Sequence, residues 1–148
     1  MARELGPEDC NCLAVRQAAR HVTQFYDQLL APSGLRTTQF SILAKLRRSG
    51  PTTINALAAA MVMDRTTLGR NILPLERDGL IAVERDSRDR RSKALRLTET
   101  GAARFRTAVK GWLEAQRQFE AAFGTGRSAE MRALLHAVAA TDLGGAAA

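Results

Sequence analysis

The amino-acid sequence predicts a mainly α-helical chain with one small β-hairpin, and three observations predict it. Apolar residues recur at steps of three and four along most of the 148 residues, which is the period of helices. The repeats are punctuated by stops of turn chemistry at Ala31-Pro32-Ser33-Gly34, Ser49-Gly50-Pro51 and Gly124-Thr125-Gly126. Between them, Leu80 to Arg85 and Ala94 to Thr98 read as two strands flanking the polar turn Asp86-Ser87-Arg88-Asp89-Arg90-Arg91-Ser92-Lys93.

Taken in order, residues 1–9 are polar, carry Gly6-Pro7, and read as a loose arm. A helix begins near Asn11, with Val15, Ala18, Val22, Phe25 or Tyr26, and Leu29 as its apolar stripe. Gln39 to Arg48 is the second, with Phe40, Leu43, Ala44 and Leu46 facing inward and Lys45, Arg47 and Arg48 outward. Thr52 to Met61 reads as a short helix, and Val62-Met63 leads directly into another. That next helix has Asp64 as N-cap, Leu68, Ile72 and Leu75 as its stripe, and Gly79 as its stop. Pro74 lies inside it, removes the hydrogen bond to the Arg70 carbonyl and bends it.

Beyond the hairpin, a long helix from about Thr100 to Phe123 carries Phe105, Val109, Trp112, Gln116, Phe119 and Phe123 at alternating steps of four and three. This is a heptad-type seam, which calls for a partner helix. Ser128 is placed to cap a last helix with the stripe Met131, Leu134, Leu135 and Val138, and Gly144 to Ala148 form a fraying tail.

Charge narrows the partner. Lys and Arg number 22 against 15 Asp and Glu, a net +7, which suits a polyanion. Arg85, Arg88, Arg90, Arg91, Lys93 and Arg96 concentrate it at the hairpin, beside Asp86 and Asp89. No basic amphipathic helix with an aromatic face accompanies the cluster, and no apolar run approaches the ~20 residues of a membrane span. The N-terminus lacks the apolar core of a signal peptide, so a cytoplasmic protein with reduced Cys10 and Cys12 is expected. There is no glycine-rich phosphate loop, no framed carboxylate pair and no nucleophile motif, so neither an enzyme nor a bound cofactor is expected. Cys10-x-Cys12 with distant His21 and His136 lacks the ligand spacing of a metal site.

Two short helices joined this tightly suggest a helix-turn-helix, and a following basic hairpin makes it a winged helix. In its second helix Thr67, Arg70 and Asn71 share the polar side, with Arg65 and Thr66 in the first turn. These residue types read base edges and grip phosphates. The sequence here resembles the MarR family of bacterial transcription regulators. The likeness is carried by Asp64-Arg65, Leu75-Glu76-Arg77-Asp78-Gly79-Leu80-Ile81, Asp86, Asp89, Arg91, Leu97-Thr98 and Gly101, and it covers roughly residues 12–143.

The resemblance implies one domain over 1–148, with a winged helix-turn-helix lobe at 36–98 and a helical dimerisation region from 10–35 and 99–143. It further implies a homodimer on double-stranded DNA, acting as a repressor at an inverted repeat. Arg65, Thr66, Thr67, Arg70 and Asn71 are the expected major-groove contacts, Arg70 and Asn71 foremost. Arg88 and Arg90 are expected in the minor groove; Arg91, of the same DNA-binding set, is expected to pair with Asp89 and hold the hairpin's shape, and Asp86 to support the wing. The family's small aromatic or phenolic effectors imply a crevice to which Arg16, Arg20, His21, Tyr26, Phe40 and Trp112 contribute. An architectural DNA-binding protein without ligand control is the alternative.

The stretch Cys12-Leu13-Ala14-Val15, with Tyr26 and Leu35-Arg36-Thr37-Thr38-Gln39-Phe40, resembles the family's organic-hydroperoxide-sensing branch, and Cys12 falls on its reactive position. Thr37 and Phe40 stand where that branch carries tyrosines. Cys12 lies in a helix's first turn with Arg16 one turn later, and both favour a thiolate. Cys10 and Cys12 are too close for a relaxed intrachain disulfide in a helix; inert thiols, a bond between subunits and a thiol switch remain open.

Overall fold

In the computed structural model, which describes residues 3–85 and 93–145, the chain runs through α1 (Asn11–Leu30), α2 (Thr37–Ser49), β1 (Thr52–Thr53), α3 (Ile54–Met61), α4 (Arg65–Arg77), β2 (Ile81–Arg85), β3 (Lys93–Leu97), α5 (Glu99–Phe123) and α6 (Thr125–Ala140). The expected mainly helical architecture with a β-hairpin is present, and a strand is added to it. Thr52 and Thr53 pair antiparallel with Leu95 and Ala94, giving a sheet of order β1-β3-β2.

The arm is less loose than its composition suggests. Pro7–Asp9 form a 3-10 turn, closed by the Gly6 N–H on Asp9 Oδ2 at 2.9 Å and by an Arg3–Asp9 ion pair. Cys10 follows as the N-cap of α1, its Sγ accepting the Leu13 N–H at 3.3 Å. At the other end of α1, Asp27 accepts both the backbone N–H and the hydroxyl of Thr37 at 2.7 Å. A carboxylate of α1 thereby satisfies the otherwise orphaned first turn of α2.

Phe40, Ile42, Leu43 and Leu46 of α2 form the middle of the core, between Leu30 and Leu35 on one side and Leu57, Leu68, Ile72 and Leu75 on the other. The join between α3 and α4 is made by Val62 at φ +53°, a left-handed conformation that β-branched residues rarely adopt. In α4, Leu68, Ile72 and Leu75 are all buried. At roughly 2 kcal/mol each, they outweigh the ~3 kcal/mol cost of Pro74, and the helix continues past the proline to Arg77.

The long helix α5 is docked at two glycines. A Cβ on Gly101 would stand 1.9 Å from the Leu80 carbonyl oxygen, and one on Gly111 would stand 2.2 Å from that of Leu29. Thr98 fixes the first contact, capping α5 through the Gly101 N–H at 2.9 Å while its own hydroxyl donates to the Gly79 carbonyl at 2.6 Å.

One expectation is met inside the chain and one is corrected. The first half of the α5 seam has its partner within the chain, because Phe105, Val109 and Trp112 pack on the core. Phe40 of α2 stacks on both Phe105 and Trp112, at 5.0 Å and 5.9 Å between ring centroids. Steps of four and three are common to seams within and between chains, so spacing alone did not separate them. Ser128 is not the cap of α6: Gly124 holds that position, and the buried Ser128 hydroxyl donates back to its carbonyl at 2.6 Å.

Replacing Gly111 by Ala forces α1 and α5 apart at Leu29, and an overpacking loss of about 1–3 kcal/mol is expected. Urea unfolding measures it; an unchanged midpoint would mean that the close approach at Leu29 does not hold the helices.

Candidate nucleic-acid interface

Helix α4 is built so that one side is fully occupied and the other free. Leu68, Ile72 and Leu75 fill the inward side, while Arg65, Thr66, Thr67, Arg70 and Leu73 are exposed. The N-terminus is set by Asp64, whose Oδ1 accepts the Thr67 N–H at 2.8 Å and whose Oδ2 accepts the Thr67 hydroxyl at 2.9 Å. These hydrogen bonds, the backbone one first, hold the Asp64 carboxyl below its ordinary pKa.

The expected contacts therefore divide. Arg65, Thr66 and Arg70 carry exposed side chains for which no protein partner is recorded among the described residues. Thr67 is engaged with Asp64, and Asn71 is half-buried with its amide donating to the Thr67 carbonyl at 2.9 Å. Thr67 and Asn71 thus have intramolecular partners to exchange before they could turn to a base. Asp86, Arg88, Asp89, Arg90 and Arg91 lie outside the described residues.

The base of the wing adds a feature that the charge count alone left unplaced. Arg85 and Lys93 stand directly opposite each other in the β2–β3 ladder, both exposed. Like charges in that register repel, and an anion between them removes the repulsion. The predicted strands leave Lys93 in the turn and set Arg85 against Ala94, so this opposition rests on the actual register. Arg96 is bound across the hairpin to Glu84 at 2.9 Å, which reduces its share of the basic surface.

The candidate switch residues are spread over the helical end. Cys10 and Cys12 are exposed free thiols. Arg16, Arg20 and His21 are exposed on α1, and His21 with Val22 and Phe25 faces Phe119 and Phe123 of α5 across a groove of about 440 Å³. Tyr26 is buried and donates to Gln116 Oε1. Burial, then the nearby Glu120 carboxylate, raises its pKa, which keeps the phenol protonated. Phe40 and Trp112 belong to the aromatic stack and not to the His21 groove. Among the described residues no cluster of His, Cys, Asp or Glu is placed to hold a metal ion, and no helix is long and apolar enough to cross a membrane.

Comparison with known proteins agrees with this geometry. A family model described as the MarR family matches residues 35–93. The M. tuberculosis transcriptional regulator MosR, solved in complex with DNA, is 40% identical with a TM-score of 0.78, over 88% of this chain and 96% of that one. The transcriptional activatory protein BadR of Rhodopseudomonas palustris is 40% identical over 73 residues, 46% of this chain and 41% of its own. The transcriptional repressor NicR of Pseudomonas putida is 32% identical over 89 residues, 60% of this chain and 56% of its own. The chain thus spans about half the length of these two curated relatives.

The cap of α4 yields a pH-dependent prediction. A carboxyl whose pKa is lowered on folding stabilises fully above its unfolded value of 3.8, and that contribution is lost as pH falls through the lowered folded value. Asp64→Ala should therefore unfold at lower urea than the wild type at neutral pH, with the gap narrowing at acid pH as the lowered folded value is passed. A gap equally wide at both pH values would show that the charged carboxylate is not its source.

Proposed function

The chain belongs to the MarR family, whose members are transcription regulators and not enzymes, and on that footing we propose that it is a sequence-specific regulator of double-stranded DNA. It acts as a homodimer, represses at an inverted-repeat operator, and is released by a small aromatic or phenolic effector or by oxidation of a thiol.

The observation that carries the reading is the division of α4. Its apolar side is fully buried, which leaves Arg65, Thr66 and Arg70 presented outward. Such a helix fits a major groove, where Arg reads guanine O6 and N7, and the Arg85–Lys93 pair at the wing's base suits flanking phosphates. Arg88 and Arg90, further along the same hairpin, are the proposed minor-groove contacts.

The homodimer is supported by α6, where Leu134, Leu135 and Val138 remain 69%, 43% and 52% exposed. A second copy covers them, and two-fold symmetry then sets two α4 helices about one DNA turn, ~34 Å, apart. The open His21 groove supports an aromatic effector, and exposed Cys12 in the first turn of α1 supports a thiol switch.

Operator affinity, measured on DNA from the protein's own promoter region, tests the core of this reading. Arg70→Ala should lose ~1–3 kcal/mol, chiefly as discrimination between operator and random duplex. Arg88→Ala and Arg90→Ala should weaken both more evenly and lower the salt dependence. Equal wild-type affinity for operator and random DNA is the behaviour of an architectural protein and would sink the regulator reading.

The thiol switch is tested separately. Peroxide-treated wild type should release the operator while Cys12→Ser stays bound. Retention by both removes the thiols from the mechanism and leaves the aromatic effector.

A further inference from the structure

Leucine 73 departs from the pattern of its helix. Leu68, Ile72 and Leu75 are 0%, 4% and 1% exposed, and Leu73 is 65% exposed. It stands three residues beyond Arg70 and four beyond Gly69, and therefore on the outward side of α4. Exposing it brings this chain's core nothing.

Gly69 is the second departure. A glycine inside a helix costs folding stability relative to alanine, and a Cβ there would meet nothing within 4 Å. Gly101 and Gly111 differ, since each is required by a backbone carbonyl pressed against it. The described residues contain no packing reason for the missing side chain at 69.

We propose that Gly69 and Leu73 are the apolar step of base reading: Leu73 packs on the 5-methyl group of a thymine in the major groove, and Gly69 leaves room for the adjoining base edge. This rests on the DNA-regulator reading and adds to it two specificity-determining residues. Thymine alone among the four bases presents a methyl group in that groove, and apolar side chains recognise it.

The surrounding charge favours DNA as the occupant of this face over a neutral or basic protein partner. Arg65, Arg70 and Arg77 lie along the helix, with Glu76 the carboxylate within its span. The same arrangement divides the labour along one turn. Arg70 hydrogen-bonds a guanine edge, Leu73 covers a methyl group, and with no Cβ at 69 the backbone can approach both.

The test begins with selection of an operator from random duplexes by the full-length protein. Each thymine of that operator is then exchanged for uracil, which preserves pairing and removes only the methyl group. Wild type should lose about fourfold in affinity at one thymine position per half-site, the worth of one buried methyl group. Leu73→Ala should bind the unmodified operator more weakly by a similar factor and ignore the uracil exchange at that position.

Gly69→Ala should keep or raise the thermal midpoint and still lose about tenfold or more in operator affinity, as overpacking at a close contact does. The proposal is overturned if no thymine position responds in the wild type, if Leu73→Ala responds to uracil as the wild type does, or if Gly69→Ala binds normally. A selection that enriches no sequence instead removes the regulator reading, and this inference with it.

Discussion

The Thr98 hydroxyl is the joint on which the rest of the structure depends. It accepts the Gly101 N–H and donates to the Gly79 carbonyl, so one oxygen ties the start of α5 to the end of α4. The Thr98 N–H adds a bond to the Leu80 carbonyl at 3.1 Å, and the absence of a side chain on Gly101 lets that strand and helix meet. Between these anchor points the hairpin leaves and returns. Helix α4, the hairpin and α5 therefore share one origin.

From that origin rigidity passes outward by packing. Phe105, Phe40 and Trp112 stack α5 onto α2, Gly111 lets α5 touch the backbone of α1, and Asp27 of α1 caps α2. A closed circuit of α1, α2 and α5 results. Its members meet through backbone contacts and aromatic faces. In the proposed reading, a ligand beside His21 or chemistry at Cys12 acts on α1, a member of this circuit.

Much of this was legible in the sequence, and the reason is local. Asp64 is a cap that decides a boundary through a hydrogen bond three residues away, and apolar spacing decided which side of α4 is buried; Thr53 and Thr98 cap in the same way, but the sequence pattern assigns them to the adjoining helix and strand. What was missed is non-local. The β1 strand exists only through its pairing with β3. The partner of the α5 seam depends on where α2 lies, and the opposition of Arg85 to Lys93 depends on register. The site was legible in residue type but not in availability: Asn71 and Thr67 have the chemistry of base readers, yet both are already engaged in bonds of the helix's first turns. Leu73 was the reverse case, an apolar residue off the stripe whose position was visible while its meaning was not.

Asp64 shows how closely folding and recognition are set against each other on α4. A carboxylate at a helix N-terminus complements the positive end of the dipole, and here it also orders Thr67. The same charge stands beside Arg65, the first residue of the helix, on the side proposed to meet phosphates. A negative group there weakens attraction to DNA at every sequence alike. It does not weaken discrimination, because Arg70 and Leu73 lie one and two turns farther along. A penalty common to every sequence cancels in the ratio of operator to random affinity, so under the proposed reading the cap serves discrimination only through the geometry it fixes at the start of α4.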